Sequence, residues 1–144
     1  MLTVEESIVI NKPRLAVWEF ITDSANVPVY SSNVVEYELV SGEKQEVGRI
    51  CRWVVKMAGR RLEMTDEMVE VERGRGGKYI SRNAPIPYTL WVHCEDAGGG
   101  TKVTWHQEME SLKGFFKFAD PVVLKLYARD VRSNLVTAKA IMES

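Results

Sequence analysis

The sequence has almost no net charge of either sign. Its 19 Lys and Arg against 20 Asp and Glu leave −1 at pH 7, with a pI near 6.2. A nucleic acid or an anionic membrane needs a basic face to neutralise it, so neither is expected as a partner. Arg73, Arg75 and Lys78 cluster, but Gly74, Gly76 and Gly77 interrupt them, which reads as a solvated loop. There are only two cysteines, Cys51 and Cys94, at no metal-like spacing, so neither a disulfide framework nor a zinc site is expected. No apolar run approaches the roughly 20 residues of a membrane span. The start "MLTVEESIVI" carries Glu5 and Glu6 where a signal peptide needs a basic start and an unbroken apolar run, so a cytoplasmic location is the default. Nucleophile and phosphate-binding signatures are missing too. No serine or cysteine sits in a nucleophile-elbow context, and "ERGRGG" opens no helix.

What is present is an ordinary globular balance, 45% apolar and 27% charged, over 144 residues. That length suits one hydrophobic core, so residues 1–144 are read as a single domain. Thr3 to Ile10 alternates like a half-buried strand. Asn11 and Pro13 then signal a helix start, and Leu15, Val17, Trp18, Phe20 and Ile21 recur at helical spacing up to Asp23. "DSANVPVY" reads as a short second helix or turn. Six strands follow: Val34 to Val40, Arg49 to Met57, Arg61 to Glu72, Lys78 to Asn83, Pro87 to Glu95, and Lys102 to Glu110. Their short connections, rich in Gly, Pro and Asp, favour an antiparallel meander. From Phe115 to Met142 the apolar period is helical, with Pro121 in the first turn and residues 115–120 as a lead-in. The pattern is α+β: a sheet with one apolar face and one long amphipathic helix available to cover it.

The stretches "IVINKPRLAVWEFITD", "NVPVY", "EVG" and "GGGTKVTW", in that order, carry a resemblance over essentially the whole chain. The sequence resembles the START-like (SRPBCC) helix-grip superfamily, within it the polyketide cyclase/dehydrase-like branch. Tyr30 stands where that group more often has Trp, which keeps an aromatic at the cavity mouth. The resemblance implies a seven-stranded antiparallel sheet curled around the C-terminal helix, with two short helices between strands 1 and 2. It also implies a deep cavity between sheet and helix for an apolar small molecule. Aromatase/cyclases, sterol and phospholipid carriers and plant hormone receptors share that architecture, so fold alone does not name an activity.

Strand parity selects the cavity residues. Centring the last hairpin on Gly98 and its neighbours pairs Cys94 with Val103, Val92 with Trp105, Leu90 with Gln107 and Tyr88 with Met109. This set is the more apolar and is read as concave. It leaves His93 and His106 on the outside, although a one-residue slip at the three glycines would exchange the faces of a strand. Cys51, Trp53, Val55 and Met57 face in on the third strand, and Leu62 and Met64 on the fourth. A bulge is expected near Asp66 to Met68, so facing over 66–72 stays open, and most carboxylates there are read as solvated. The candidate ligand-binding residues are Tyr30, Trp53, Met57, Met64, Tyr79, Tyr88, Leu90 and Val92, then Trp105, Gln107 and Met109. Phe118, Val122, Leu126 and Arg129 are added from the terminal helix. Gln107, Tyr79, Tyr88, Asn83, Arg129 and Asn134 are the candidates to orient ligand oxygen atoms. Six methionines suit a pocket that repacks around its guest.

The expected function is binding, transport or sensing of a hydrophobic or aromatic small molecule, by a monomer or homodimer, without metal or cofactor. Such a pocket needs a few hundred cubic ångströms. The alternative is an aromatase/cyclase or dehydrase-type enzyme, whose mark would be a buried converging acid/base pair such as Tyr79 or Tyr88 near Arg129. With both histidines outside, replacing His93 and His106 by Gln leaves ligand affinity within about twofold, whereas Trp105→Ala weakens it at least tenfold. Titration calorimetry on the two variants checks the register, and the reverse ranking would sink it.

Overall fold

The computed structural model describes residues 1–57, 59–111 and 120–144. Strand β1 (Leu2–Ile10) leads into α1 (Arg14–Thr22) and the single turn α2 (Val27–Tyr30). Six strands follow: β2 (Val34–Ser41), β3 (Ile50–Met57), β4 (Arg60–Glu72), β5 (Gly76–Asn83), β6 (Tyr88–Ala97) and β7 (Gly100–Met109). The last element is α3 (Asp120–Glu143), with Pro121 in its first turn, where a missing N–H costs little. Of the lead-in expected over 115–120, residues 115–119 lie outside the described residues, and Asp120 is already the first residue of α3.

All neighbouring strands are antiparallel, in the order β1-β7-β6-β5-β4-β3-β2. The meander from β2 to β7 is the expected one, and pairing of β1 with β7 completes the seven-stranded helix-grip sheet. The β6–β7 register agrees with the reading residue for residue, including Val92 opposite Trp105 and Trp91 opposite His106. The β4–β5 ladder shifts twice, between Thr65 and Asp66 and between Met68 and Glu70. These shifts flank the expected bulge and settle the open facing: Leu62, Asp66 and Met68 point in, and Val69 is the extra residue that resets Glu70 outward.

Helix α3 lies along β1 and meets α2. Its buried stripe is Val123, Tyr127, Val131, Asn134, Leu135 and Ala138, a continuous i, i+3, i+4 series. Val122 and Leu126, expected inward, are 54% and 45% exposed, and Arg129 is exposed as well. The stripe through Val131, Leu135 and Ala138 runs back through Tyr127 rather than Leu126. Choosing the aliphatic residue over its aromatic neighbour rotated the first half of the helix by one position, about 100°.

The two short helices close one end of the sheet. Trp18 of α1 is fully buried over Gly77, where an added Cβ would stand 3.1 Å from the indole. Asn134, expected to face a ligand, instead ties α3 to the start of β2. Its Oδ1 accepts the Ser32 N–H at 3.0 Å, and its Nδ2 donates to Asn33 Oδ1 at 2.7 Å. Asn134→Leu leaves the buried Asn33 amide unpaired, so stability to urea falls by about 1–3 kcal/mol. An unchanged midpoint would remove the clamp.

Candidate functional site

Alternate residues of β3, β4, β6 and β7 converge on the face opposite α3, because a strand sends every second side chain to one side. They enclose a cavity of ≈ 50 Å³. Trp53, Val55 and Met57 form its β3 wall, and Leu62 and Met64 its β4 wall. Tyr88 and Leu90 come from β6, and Trp105, Gln107 and Met109 from β7. Asn33, Val34 and Ile86 close the rim, and Tyr127 is the contribution of α3. Eight of the sequence candidates are thus brought together here. Three more, Tyr30, Tyr79 and Val92, line a smaller void of ≈ 20 Å³ toward α1 and α2. Trp53, Leu90 and Trp105 border both spaces.

Val122, Leu126 and Arg129 do not take part, since the helix turns them outward, and Phe118 lies outside the described residues. Asn83 is exposed as well. The larger void is well short of the few hundred cubic ångströms expected. At roughly 10–15 Å³ per water it holds a few waters, so a larger guest must displace side chains.

The polar groups at the larger cavity are partly committed to one another. Gln107 Oε1 accepts from Tyr127 Oη at 2.7 Å and from Trp105 Nε1 at 3.2 Å. Tyr88 Oη donates to Asp66 Oδ2 at 2.7 Å. Asp66 is 1% exposed, and burial pushes its carboxyl up to about 6, against the opposing pull of Tyr88 and Arg49. Arg49 is buried too, at 3% exposure. Its guanidinium lies over the rings of Tyr37 and Tyr79, 5.8 and 5.9 Å from their centroids. It donates through Nε to Cys51 Sγ at 3.1 Å and through Nη2 to Tyr37 Oη. Gly42, at φ +86°, passes so close to Arg49 that an added Cβ would stand 2.8 Å from the Arg49 Cα. Burial raises the phenols of Tyr37, Tyr79 and Tyr88, which therefore keep their protons near neutrality. The Trp53 indole N–H lies close enough to Asp66 to favour its ionised form, yet makes no hydrogen bond of normal geometry.

A buried converging acid/base group therefore exists, but with Arg49 and Asp66 in place of Arg129. Both were missed although parity points to them: Arg49 shares its side with Cys51 and Trp53, and Asp66 with Leu62 and Met64. The two histidines are outside. His93 is exposed, and His106 sits between Glu5 Oε1 at 2.9 Å and Glu108 Oε2 at 3.2 Å. The Cys94 thiol is buried and pushed up to about 12, which leaves it inert. Among the described residues no group of His, Cys, Asp and Glu is arranged to hold a metal ion. No described helix is long and apolar enough to cross a membrane.

A curled seven-stranded antiparallel sheet gripping a long helix over an apolar cavity defines a START-like helix-grip protein. The model of the polyketide cyclase / dehydrase and lipid transport family matches residues 1–143, and the chain belongs to that family. Solved structures share the fold at low sequence identity. A protein of Thermus thermophilus has a TM-score of 0.84 at 21% identity, covering 96% of this chain and 95% of that one. A START superfamily protein from Mycobacterium smegmatis has a TM-score of 0.79 at 9% identity, covering 98% and 97%. The ginseng major latex-like protein 151 of Panax ginseng has a TM-score of 0.75 at 20% identity, covering 96% and 95%. No curated protein matches the sequence.

The buried carboxyl has a consequence for stability. Between pH 4 and 6 the folded state holds a proton on Asp66 that the unfolded chain, near 3.8, has released. Folding is then favoured by acid, and the contribution present below pH 4 is lost as pH rises through 6, on the order of 3 kcal/mol. Glu19 and Asp23 are lowered and act with the opposite sign at lower pH, so the comparison is between proteins. Relative to Asp66→Asn, the wild type loses stability from pH 4 to 7 in denaturant melts. Parallel profiles would place the ionisation of Asp66 elsewhere.

Proposed function

We propose that the protein binds a hydrophobic or aromatic small molecule in the space between the sheet and α3, as a carrier or sensor. The observation that carries this reading is the make-up of the larger cavity. Aliphatic, methionine and aromatic side chains from four strands enclose it, with a few polar groups converging, as in small-molecule sites generally. Met57, Met64 and Met109 supply the adaptability that a void of ≈ 50 Å³ requires, since each has three rotatable bonds and can move aside for a guest. The family description, which includes lipid transport, supports the same reading.

A second reading is an enzyme of the cyclase or dehydrase type, favoured by the hydrogen bond from Tyr88, which lines the cavity, to the buried Asp66 behind it. A carboxyl near pKa 6 could take up the Tyr88 proton and return it at neutral pH, so it would act on a guest through that hydroxyl. Native mass spectrometry of protein purified from its own host separates the two. A retained apolar molecule, extracted, rebinds to wild type. Leu90→Trp fills the border between the two voids and reduces that affinity at least tenfold with the fold intact by circular dichroism. Unchanged affinity in Leu90→Trp overturns the cavity assignment. Conversion of the molecule by wild type and not by Asp66→Asn, at equal affinity, would favour the enzyme.

A further inference from the structure

Helix α3 turns a second stripe outward, opposite the buried one. Val122, Lys125, Leu126, Arg129, Arg132 and Val136 recur at steps of three and four residues, and all of them are exposed. At 1.5 Å per residue the stripe runs about 21 Å along the helix. Its aliphatic members are not tucked under neighbours. Val122 and Val136 leave about half of their surface in water, and Val29 of the adjoining turn α2 leaves 65%.

The cations of the stripe stand apart from the rest of the chain. Most other lysines and arginines are taken up by carboxylates: Arg52 meets Glu36, Glu38 and Glu63, and Arg73 meets Glu19. Lys125, Arg129 and Arg132 make no ion pair with a described residue. From 121 to 142 the one acidic side chain is Asp130, half-buried at the border of the inward side. Arg129 is near enough to favour its ionised form but does not pair with it. The net charge of −1 conceals this face, because the carboxylates that cancel its cations in the sum lie on other elements. A basic surface is therefore present where the whole-chain charge gave no reason to expect one.

We propose that this stripe docks the protein peripherally on an anionic lipid surface, with Lys125, Arg129 and Arg132 against the headgroups and Val122, Leu126 and Val136 at the acyl boundary. Cations beside exposed aliphatic side chains on one helix face are the pairing that such a surface attracts. A second copy of the chain fits poorly, since the same face would set its cations against their own kind. An acidic protein fits less well too. The stripe holds no aromatic anchor, and a single row of aliphatic side chains falls far short of the roughly 800 Å² that a stable interface takes from each partner. Adsorption to a bilayer has no such threshold, because each cation near the surface multiplies partitioning by itself, about fivefold. The assignment holds whatever the cavity contains, since none of these side chains lines either void.

Co-sedimentation with vesicles tests this, using phosphatidylcholine alone and a two-to-one mixture of phosphatidylcholine with phosphatidylserine. At low salt the wild type is expected to bind the anionic vesicles at least tenfold more tightly than the neutral ones, and to lose that preference in about 1 M salt. Lys125→Gln, Arg129→Gln and Arg132→Gln together lower the affinity for anionic vesicles about a hundredfold. The same loss of charge at Arg75, Lys78 and Arg82, on β5 and the turn before it, changes it by no more than about threefold. Leu126→Gln with Val136→Gln weakens it several-fold and leaves its salt dependence unchanged. All of these positions are at the surface, and circular dichroism checks that each variant is folded. Absence of binding, equal binding to the two kinds of vesicle, equal losses in the two charge variants, or no loss in the aliphatic variant overturns the lipid assignment. Tighter binding to poly-glutamate than to anionic vesicles overturns it as well, and transfers the face to an acidic protein.

Discussion

A single sheet that curls around one helix forces every second residue of seven strands into the same enclosed space. Side chains alternate across a strand, so once β7 pairs with β1 on one side and β6 on the other, the inner face is a fixed list. The list must satisfy two demands together. It has to bury enough apolar surface to hold α3, and it has to avoid filling the space so well that nothing else enters. Val4, Ile10, Val103 and Ala138 meet the first demand where α3 lies against β1. Trp53, Met57, Met64, Trp105 and Met109 meet the second, where the sheet pulls away from the helix.

Burying Arg49 and Asp66 runs against that apolar economy and is the least expected part of the interior. Removing two charges from water is expensive, and the attraction between them rarely does more than offset it. Here the cost is moderated by local chemistry. The guanidinium lies over two phenol rings and donates to Tyr37 and Cys51, while Asp66 takes the Tyr88 proton donor and has its ionisation moved toward neutrality. A hydrophobic replacement of the same volume would satisfy stability equally well. The cluster is therefore not explained by a gain in folding free energy.

Much of this was legible in the chain. The seven strands, the three helices and the β6–β7 register follow from period, turn residues and parity, because each is a local or nearest-neighbour property. Eleven of the candidate residues line one void or the other for the same reason. What escaped was of two kinds. The phase of α3 before Val131 hinged on whether Leu126 or Tyr127 faced in, and hydrophobicity ranks them wrongly, because a tyrosine whose hydroxyl finds Gln107 is a good interior residue. Arg49 was assigned to neither face, and the facing of Asp66 stayed open because of the bulge expected beside it. Charged residues generally lie outside, so neither was counted among the cavity candidates.

The small size of the larger void bears on how a ligand is held. A guest of two or three rings that removes about 300 Å² of apolar surface from water gains roughly 7 kcal/mol. Against that stand the loss of its free motion, at least about 4 kcal/mol, and the ordering of each displaced methionine at about 0.5–1.5 kcal/mol. With Met57, Met64 and Met109 all moved, the apolar term alone leaves little net affinity. Such a pocket binds well only a molecule that also finds polar partners already in place. The Tyr127–Gln107 and Tyr88–Asp66 pairs are buried and fixed by their own hydrogen bonds, so ordering them adds almost no cost. A yielding apolar wall with rigid polar pairs set into it can discriminate between guests through those pairs more than through its shape.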